Sequence, residues 1–281
     1  MKYVLAFDIG GTNTRLSLVN EKYEIEKQLI LPTVSGSVED FIQSVFDITD
    51  KLNINMDDVI SCGAGVPGVV DRQNNYIIDL PNVYIKDIPL GKRFYEKFGK
   101  KMYIRNDAEV ACLAEAKLGA GKKYSRTFFI TVSTGLGGAL CIDSINQDYV
   151  TEVGHTALVY KGILTEYESL LSGSGIPHLC QINGLEINSA KQFFDLVRQK
   201  DEKIMPVFED WLTLFSQFLQ LMQNSYEPEI YCFTGGVFKN KDLFFEELQR
   251  RNPNCHLVEC VFKEDAGTIG AAVYAFQCAS K

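Results

Sequence analysis

Tyr3-Val4-Leu5-Ala6-Phe7-Asp8-Ile9-Gly10-Gly11-Thr12 begins with an apolar run, meets an acid, and breaks at paired glycines. A short apolar run closed by glycine reads as a buried strand entering a tight turn. Arg15–Val19 then reads as the strand that leaves the turn. Phe129-Ile130-Thr131-Val132-Ser133-Thr134-Gly135 repeats the arrangement, followed by Leu136-Gly137-Gly138 and the strand Ala139–Ile142. The echo suggests two related α/β halves that face each other.

Working outward, strand and helix signals alternate. Ile25–Leu31, Val59–Ala64, Met102–Arg105, Thr127–Val132 and Tyr231–Phe233 read as strands. Residues 38–51 carry Val38, Phe41, Ile42, Val45 and Ile48 at helical spacing, and residues 90–98 also read as a helix. Residues 204–225 set Val207, Phe208, Trp211, Leu214, Phe215, Phe218, Leu221 and Met222 on one face, which reads as core packing and not as a cofactor box. Ala266–Ala275 is a closing helix of small residues. This order indicates the α/β class.

Of the 281 residues, 46% are hydrophobic and 23% charged, enough to build a large core in one or two domains. No stretch approaches the roughly 18 unbroken apolar residues of a membrane span, and the first apolar run is too short for a signal peptide, so a cytoplasmic protein is expected. The eight cysteines form no Cys-x-x-Cys pair and mostly have apolar neighbours, so buried thiols are expected. A net charge of −8 disfavours nucleic acid, whose phosphates demand clustered Lys and Arg.

Three glycine turns follow apolar strands: Asp8–Thr12, Thr134–Gly138 and Thr234–Gly236. Backbone N–H groups curled at a strand end can cradle phosphate, and open α/β sheets bind ligands at that edge. None is a Walker loop, and each taken singly also reads as a plain hairpin. Asp8 reads as an anchor for Mg²⁺ or its waters, or as an Asx turn. Asn106-Asp107-Ala108-Glu109 joins the strand Met102–Arg105 to an alanine-rich helix. Asn106 with Glu109 completes a capping-box pattern that would merely start the helix. Asp107, in the first turn, is also placed to accept the proton of an attacking hydroxyl.

This ordered set resembles the ROK family, bacterial sugar kinases and sugar-responsive repressors that include many glucokinases. Asp8-Ile9-Gly10-Gly11-Thr12 with Arg15 is similar to the family's first phosphate motif. Gly63–Asp71 with Pro81-Asn82 is similar to its sugar-pocket loops, and Asn106-Asp107-Ala108 with Ala114-Glu115 to its catalytic segment. Thr131–Gly138 is similar to the second phosphate motif, Gly235-Gly236-Val237 to the adenosine-side turn, and Glu152-Val153-Gly154-His155 to a sugar-binding segment. The resemblance implies a two-domain, actin-like ATPase (ribonuclease H-like) fold with an interdomain cleft. Residues 1–106 and 267–281 would make the small domain and 107–266 the large one. It implies Asp107 as general base, with Gly65, Asn82, Asn106, Glu152, His155 and Glu168 on the sugar. ATP and Mg²⁺ would be held by Asp8, Gly10, Gly11, Thr12, Thr134, Gly135, Gly235 and Gly236, Asp8 serving the metal. A homodimer is implied as well.

The expected reaction is phosphorylation of a hexose hydroxyl, with O6 and glucose as the first expectation. N-acetylmannosamine, fructose, mannose, allose and a β-glucoside stay open, as does a non-catalytic sugar sensor. Repressor relatives carry a helix-turn-helix ahead of the kinase-like part; with the first phosphate strand starting by residue 3, none is expected here. Many relatives also hold Zn²⁺ through this histidine and three cysteines before the second glutamate. Thr156–Tyr167 contains no cysteine, so the four donors a tetrahedral site needs are missing. No zinc is therefore expected here; metal analysis returning one Zn²⁺ per chain would overturn this.

Overall fold

The computed structural model describes residues 2–147 and 152–280. The chain divides into two compact units, Met1–Gly119 with Glu264–Lys281, and Ala120–Lys263.

In the first unit, β1 (Tyr3–Ile9), β2 (Asn13–Asn20) and β3 (Ile25–Pro32) form an antiparallel meander. Helix α1 (Val38–Lys51) then covers one face. Its start is a capping box: Asp40 N–H donates to Ser37 Oγ at 3.1 Å, and Ser37 N–H to the Asp40 carboxylate at 3.3 Å. Strand β4 (Val59–Val66) lies parallel to β1. A small antiparallel sheet follows, β5 (Val69–Asp71), β6 (Tyr76–Leu80) and β7 (Ile85–Ile88). Helix α2 (Leu90–Phe98) stops at Gly99, whose left-handed φ of +67° lets its N–H close onto Tyr95 O. Strand β8 (Met102–Asn106) adds parallel to β4, and α3 (Asp107–Lys117) starts at its end. The main sheet runs β3-β2-β1-β4-β8.

The second unit repeats that plan. β9 (Arg126–Val132), β10 (Leu136–Ile142) and β11 (Ile145–Asn146) form the meander. Next come the hairpin β12 (Ala157–Tyr160) and β13 (Ile163–Glu166), and helices α4 (Glu168–Leu171), α5 (Gly175–Ile182), α6 (Ala190–Arg198) and α7 (Ile204–Tyr226). β14 (Ile230–Thr234), α8 (Phe245–Arg251) and β15 (Leu257–Glu259) follow, giving the order β11-β10-β9-β14-β15 with β14 parallel to both neighbours. Trp211 of α7 is fully buried among Phe194, Phe208, Phe215 and Phe244, with its indole N–H on Leu171 O. The apolar face of α7 is core, as its spacing indicates.

The last helix, α9 (Ala266–Ala279), belongs to the first unit and explains its small-residue composition. Side chains alternate along β1: Leu5, Phe7 and Ile9 enter the core with Phe41 and Phe94, while Val4 and Ala6 pack on Ala271, Ala272 and Ala275. The backbones approach closely. A Cβ at Gly63 would lie 2.0 Å from Ala271 O, and one at Gly270 only 1.7 Å from Val110 O. α3 is correspondingly buried on every side from Ala108 to Ala116.

Most strands and helices lie where periodicity puts them. The second glycine turn differs: only Ser133-Thr134-Gly135 lie outside the strands, and Gly137 and Gly138 are inside β10, paired with Thr131 and Ile130. A Cβ at Gly138 would stand 2.8 Å from Val153 and 3.0 Å from Phe128, so this glycine serves close packing rather than a turn. Seven cysteines are buried and Cys278 is half-buried. Among the described residues no helix is long and apolar enough to cross a membrane.

Because the obstacle at Gly270 is backbone, Gly270→Ala is expected to lower unfolding free energy by at least about 1–3 kcal/mol. Denaturant unfolding measures this; an unchanged midpoint would refute the tight crossing.

Candidate active site

In the first unit the candidate residues collect at the carboxyl ends of parallel strands. Asp8 pairs with Gly65, Gly65 with Arg105, and Val66 with Asn106, so β1, β4 and β8 end side by side. Turn Gly10-Gly11-Thr12 leaves β1 and is closed by Gly10 N–H on Asn13 O at 2.8 Å. Thr33 buttresses it, donating its N–H to Thr12 O and its hydroxyl to Gly10 O. The Gly10 amide therefore serves the turn itself. Gly11 lies against Asn82: a Cβ there would be 2.9 Å from Asn82 Cβ. The phosphate-type turn and the loop after β6 thus touch.

Asp8 is half-buried at the foot of this turn. A Cβ on Gly267, at the start of α9, would lie 2.7 Å from Asp8 Oδ1. Burial pushes its carboxyl above the usual carboxylate range; Arg15 opposes this and Asp265 adds to it. Arg15 is itself held by Glu264 O at 2.9 Å and by the Asp265 carboxylate at 3.1 Å.

Asn106 and Asp107 sit where β8 becomes α3. Asn106 is the N-cap, accepting from Ala108 N–H at 2.9 Å through Oδ1, while its Nδ2 donates to Gly68 O at 3.2 Å. Asp107 Oδ1 also accepts from Ala108 N–H, at 2.8 Å. Gly65 allows the approach, since a Cβ there would meet Val110 at 2.6 Å and Asp107 Cα at 3.6 Å. The sequence motif suggests a plain capping box, but the Glu109 carboxylate takes Arg72 of the β5–β6 turn as well as the Asn106 amide. Local pattern could not reveal Arg72, 37 positions away.

In the second unit a single carboxylate organises the other candidates. Glu168 Oε2 accepts the Leu136 N–H at 2.7 Å, closing over the turn that holds Thr134 and Gly135. Gly135 makes room, since a Cβ would be 2.6 Å from Glu168 Oε2. Gly154 is pressed against Leu136 O and Glu168 Cβ, so the segment carrying Glu152 and His155 lies on the same turn. Ser174 fixes the turn further, its hydroxyl donating to Thr134 O at 2.6 Å. Gly235, at φ +111°, passes over Val132, where a Cβ would meet Val132 O at 2.3 Å. Around Gly236 a Cβ would meet nothing within 4 Å. Glu152 is exposed at the edge of the described residues.

His155 Nδ1 bonds the Glu166 carboxylate at 2.8 Å, tying its turn to β13. The hairpin is sharp, with Lys161 and Gly162 both at positive φ as a type I′ turn requires. Ser174 and Glu166 carry no sequence signal of their own. Among the described residues no group of three or more His, Cys, Asp or Glu could hold a metal ion.

The bond to Glu166 raises the His155 pKa, with Glu168 and Glu152 adding charge and slight burial opposing. A raised histidine pKa contributes stability that is complete below the unfolded value and lost as pH climbs through the folded one. The NMR midpoint of His155 should thus exceed the ordinary value of about 6.5 and fall in Glu166→Gln. Identical midpoints would refute the pair.

The family model described as "ROK family" matches residues 4–277. A glucokinase of Thermotoga maritima is 24% identical over 304 residues, spanning 96% of each chain. An N-acetyl-D-glucosamine kinase of Haemophilus influenzae is 24% identical over 271 residues, 88% of each. The crystal structure of a ROK hexokinase from Thermus thermophilus superposes with a TM-score of 0.83 at 21% identity, covering 99% of both chains. The family match thus runs through both units, and this chain is a member of the ROK family.

Proposed function

We propose that the protein is an ATP-dependent kinase that phosphorylates a hydroxyl of a hexose-type sugar, with Asp107 as general base. The observation that carries the reading is the gathering, at one sheet edge, of Asp107, Asn106, Asn82, Gly11 and Asp8. A kinase needs a base for the acceptor beside groups for the donor phosphates, and that edge offers both.

Asp107 accepts the proton of the sugar hydroxyl as its oxygen forms a bond to the γ-phosphorus. The bond from that phosphorus to the β,γ-bridging oxygen breaks, leaving sugar phosphate and ADP. Asn82 and Asn106 orient the sugar through amide groups able both to donate and to accept. Glu152, His155 and Glu168 are the candidates for further hydroxyls, where unpaired site groups would penalise a wrong epimer. Gly11, Thr12, Thr134 and Gly135 serve the phosphates, Gly235 and Gly236 the nucleoside side. Glu168 ties the two tasks together, because its carboxylate already holds the amide after Gly135. Asp8, a half-buried carboxylate at the foot of the phosphate turn, suits Mg²⁺, which takes one or two carboxylates beside substrate phosphates. When bound, Mg²⁺ neutralises charge on those oxygens.

Glucose, phosphorylated at O6, is our first choice, supported by the Thermotoga relative; N-acetylated hexosamines are next, supported by the Haemophilus one. Purified protein with Mg-ATP and a hexose panel should release ADP only when a sugar is present. Asp107→Asn should lower kcat by at least about a hundredfold while calorimetry shows sugar binding retained. Wild-type turnover by that variant, or ADP release indifferent to every sugar, would sink the proposal.

A further inference from the structure

We propose that Arg72 and Glu109 are positioning residues, a partly buried ion pair that sets Asp107 in register with the turn carrying Asn82. The proposal rests on the sugar-kinase reading above and adds to it what determines the base's placement.

Asp107 is bracketed by ties to a single small sheet. Upstream, Ile104 N–H donates to Asn75 Oδ1 at 3.1 Å, and Asn106 Nδ2 donates to Gly68 O at 3.2 Å. Both run from β8 to the β5–β6 region. Downstream, on the helix, the tie is Glu109 to Arg72. Arg72 lies in the turn joining β5 to β6, and β6 leads directly into Pro81-Asn82. The hairpin therefore holds the base from both sides, at its Gly68 end beside Leu80 and at its turn through Arg72, and β6 runs from that turn to Asn82.

The surroundings make this an unusual way to hold a helix. Glu109 is 5% exposed and Arg105 8%. Arg105 Nη1 lies 3.9 Å from the second Glu109 oxygen, and its guanidinium sits 5.0 Å from the Tyr274 ring centre of α9. Burial raises the Glu109 carboxyl, opposed by Arg72, Arg105 and the Asn106 amide. Charges removed from water recover little net stability even when paired. Apolar residues of equal volume would hold the helix at least as well. The bond from the Arg72 guanidinium to the Glu109 carboxylate, by contrast, is charge-assisted and directional. The pair stands two residues past Asp107, where a small change in direction moves the base relative to Asn82.

The test compares Arg72→Lys and Glu109→Gln with wild type and Asp107→Asn, all as full chains. Circular dichroism and thermal unfolding check folding, calorimetry reads acceptor binding, and steady-state assays vary sugar and ATP separately. Per folded molecule, each variant should lose about tenfold in kcat and gain about tenfold in acceptor KM, with the KM for ATP within about twofold. Arg72→Lys keeps the buried charge and so guards against a fold defect in the other variant. A merely structural role would lower the unfolding temperature and the folded fraction while both KM values stayed put, and that result would overturn the proposal. So would variants that match wild type throughout. If the kinase reading itself is wrong, wild type will show no sugar-dependent ADP release, or Asp107→Asn will equal it, and the positioning proposal falls with it.

Discussion

The first unit depends on one close contact, the crossing of α9 over α3 and β4 with glycines at the points of approach. Gly270 lets the helix backbone meet the Val110 carbonyl, and Gly63 admits the Ala271 carbonyl onto the sheet. Interiors are packed to crystal-like density, so an approach this tight fixes α3 where Val110 meets α9. The first turn of α3 bears Asp107, and its cap is Asn106. Helix packing thus sets the course of α3, while the Asn106 cap and the tie from Glu109 to Arg72 act on its first turn. Gly267, at the head of the same α9, also lies against Asp8. One helix of small residues therefore shapes the surroundings of both Asp8 and α3, the helix that Asp107 begins.

Much of the architecture could be read from residue order. β1 alternates Leu5, Phe7 and Ile9 against Val4 and Ala6, so a run without polar breaks signals a strand covered on both faces. The spacing of Phe41, Ile42, Val45 and Ile48 locates α1, and the apolar face around Trp211 locates α7. The repeat of strand, glycine turn and strand anticipates two sheets of the same order. These are period and punctuation signals, which a single segment carries within itself.

What escaped reading was whatever depends on partners distant in sequence. Asn106 and Glu109 spell a capping box, yet the Glu109 carboxylate is turned to Arg72 by a hairpin whose strands are too short to announce themselves. Gly137 and Gly138 look like turn residues, but Val153 and Phe128 press on β10 and a side chain at Gly138 would collide. His155 has its partner Glu166 across the start of a hairpin formed by two four-residue strands. In the candidate site, candidates could be named because their types and order recur as motifs; the ties that orient them could not, because tertiary packing selects them.

The first unit is discontinuous: α9 comes after the whole of Ala120–Lys263 in the chain. A ribosome delivers residues in order, at about 5–20 per second. Throughout synthesis of the second unit, Val4 and Ala6 consequently lack the alanine face that will cover them. The nascent protein can finish its later-made sheet while its earlier-made one is still open. Completion of the first unit thereby waits until residues 266–279 have been made, and truncation within them would strip a cover from strands made well before them.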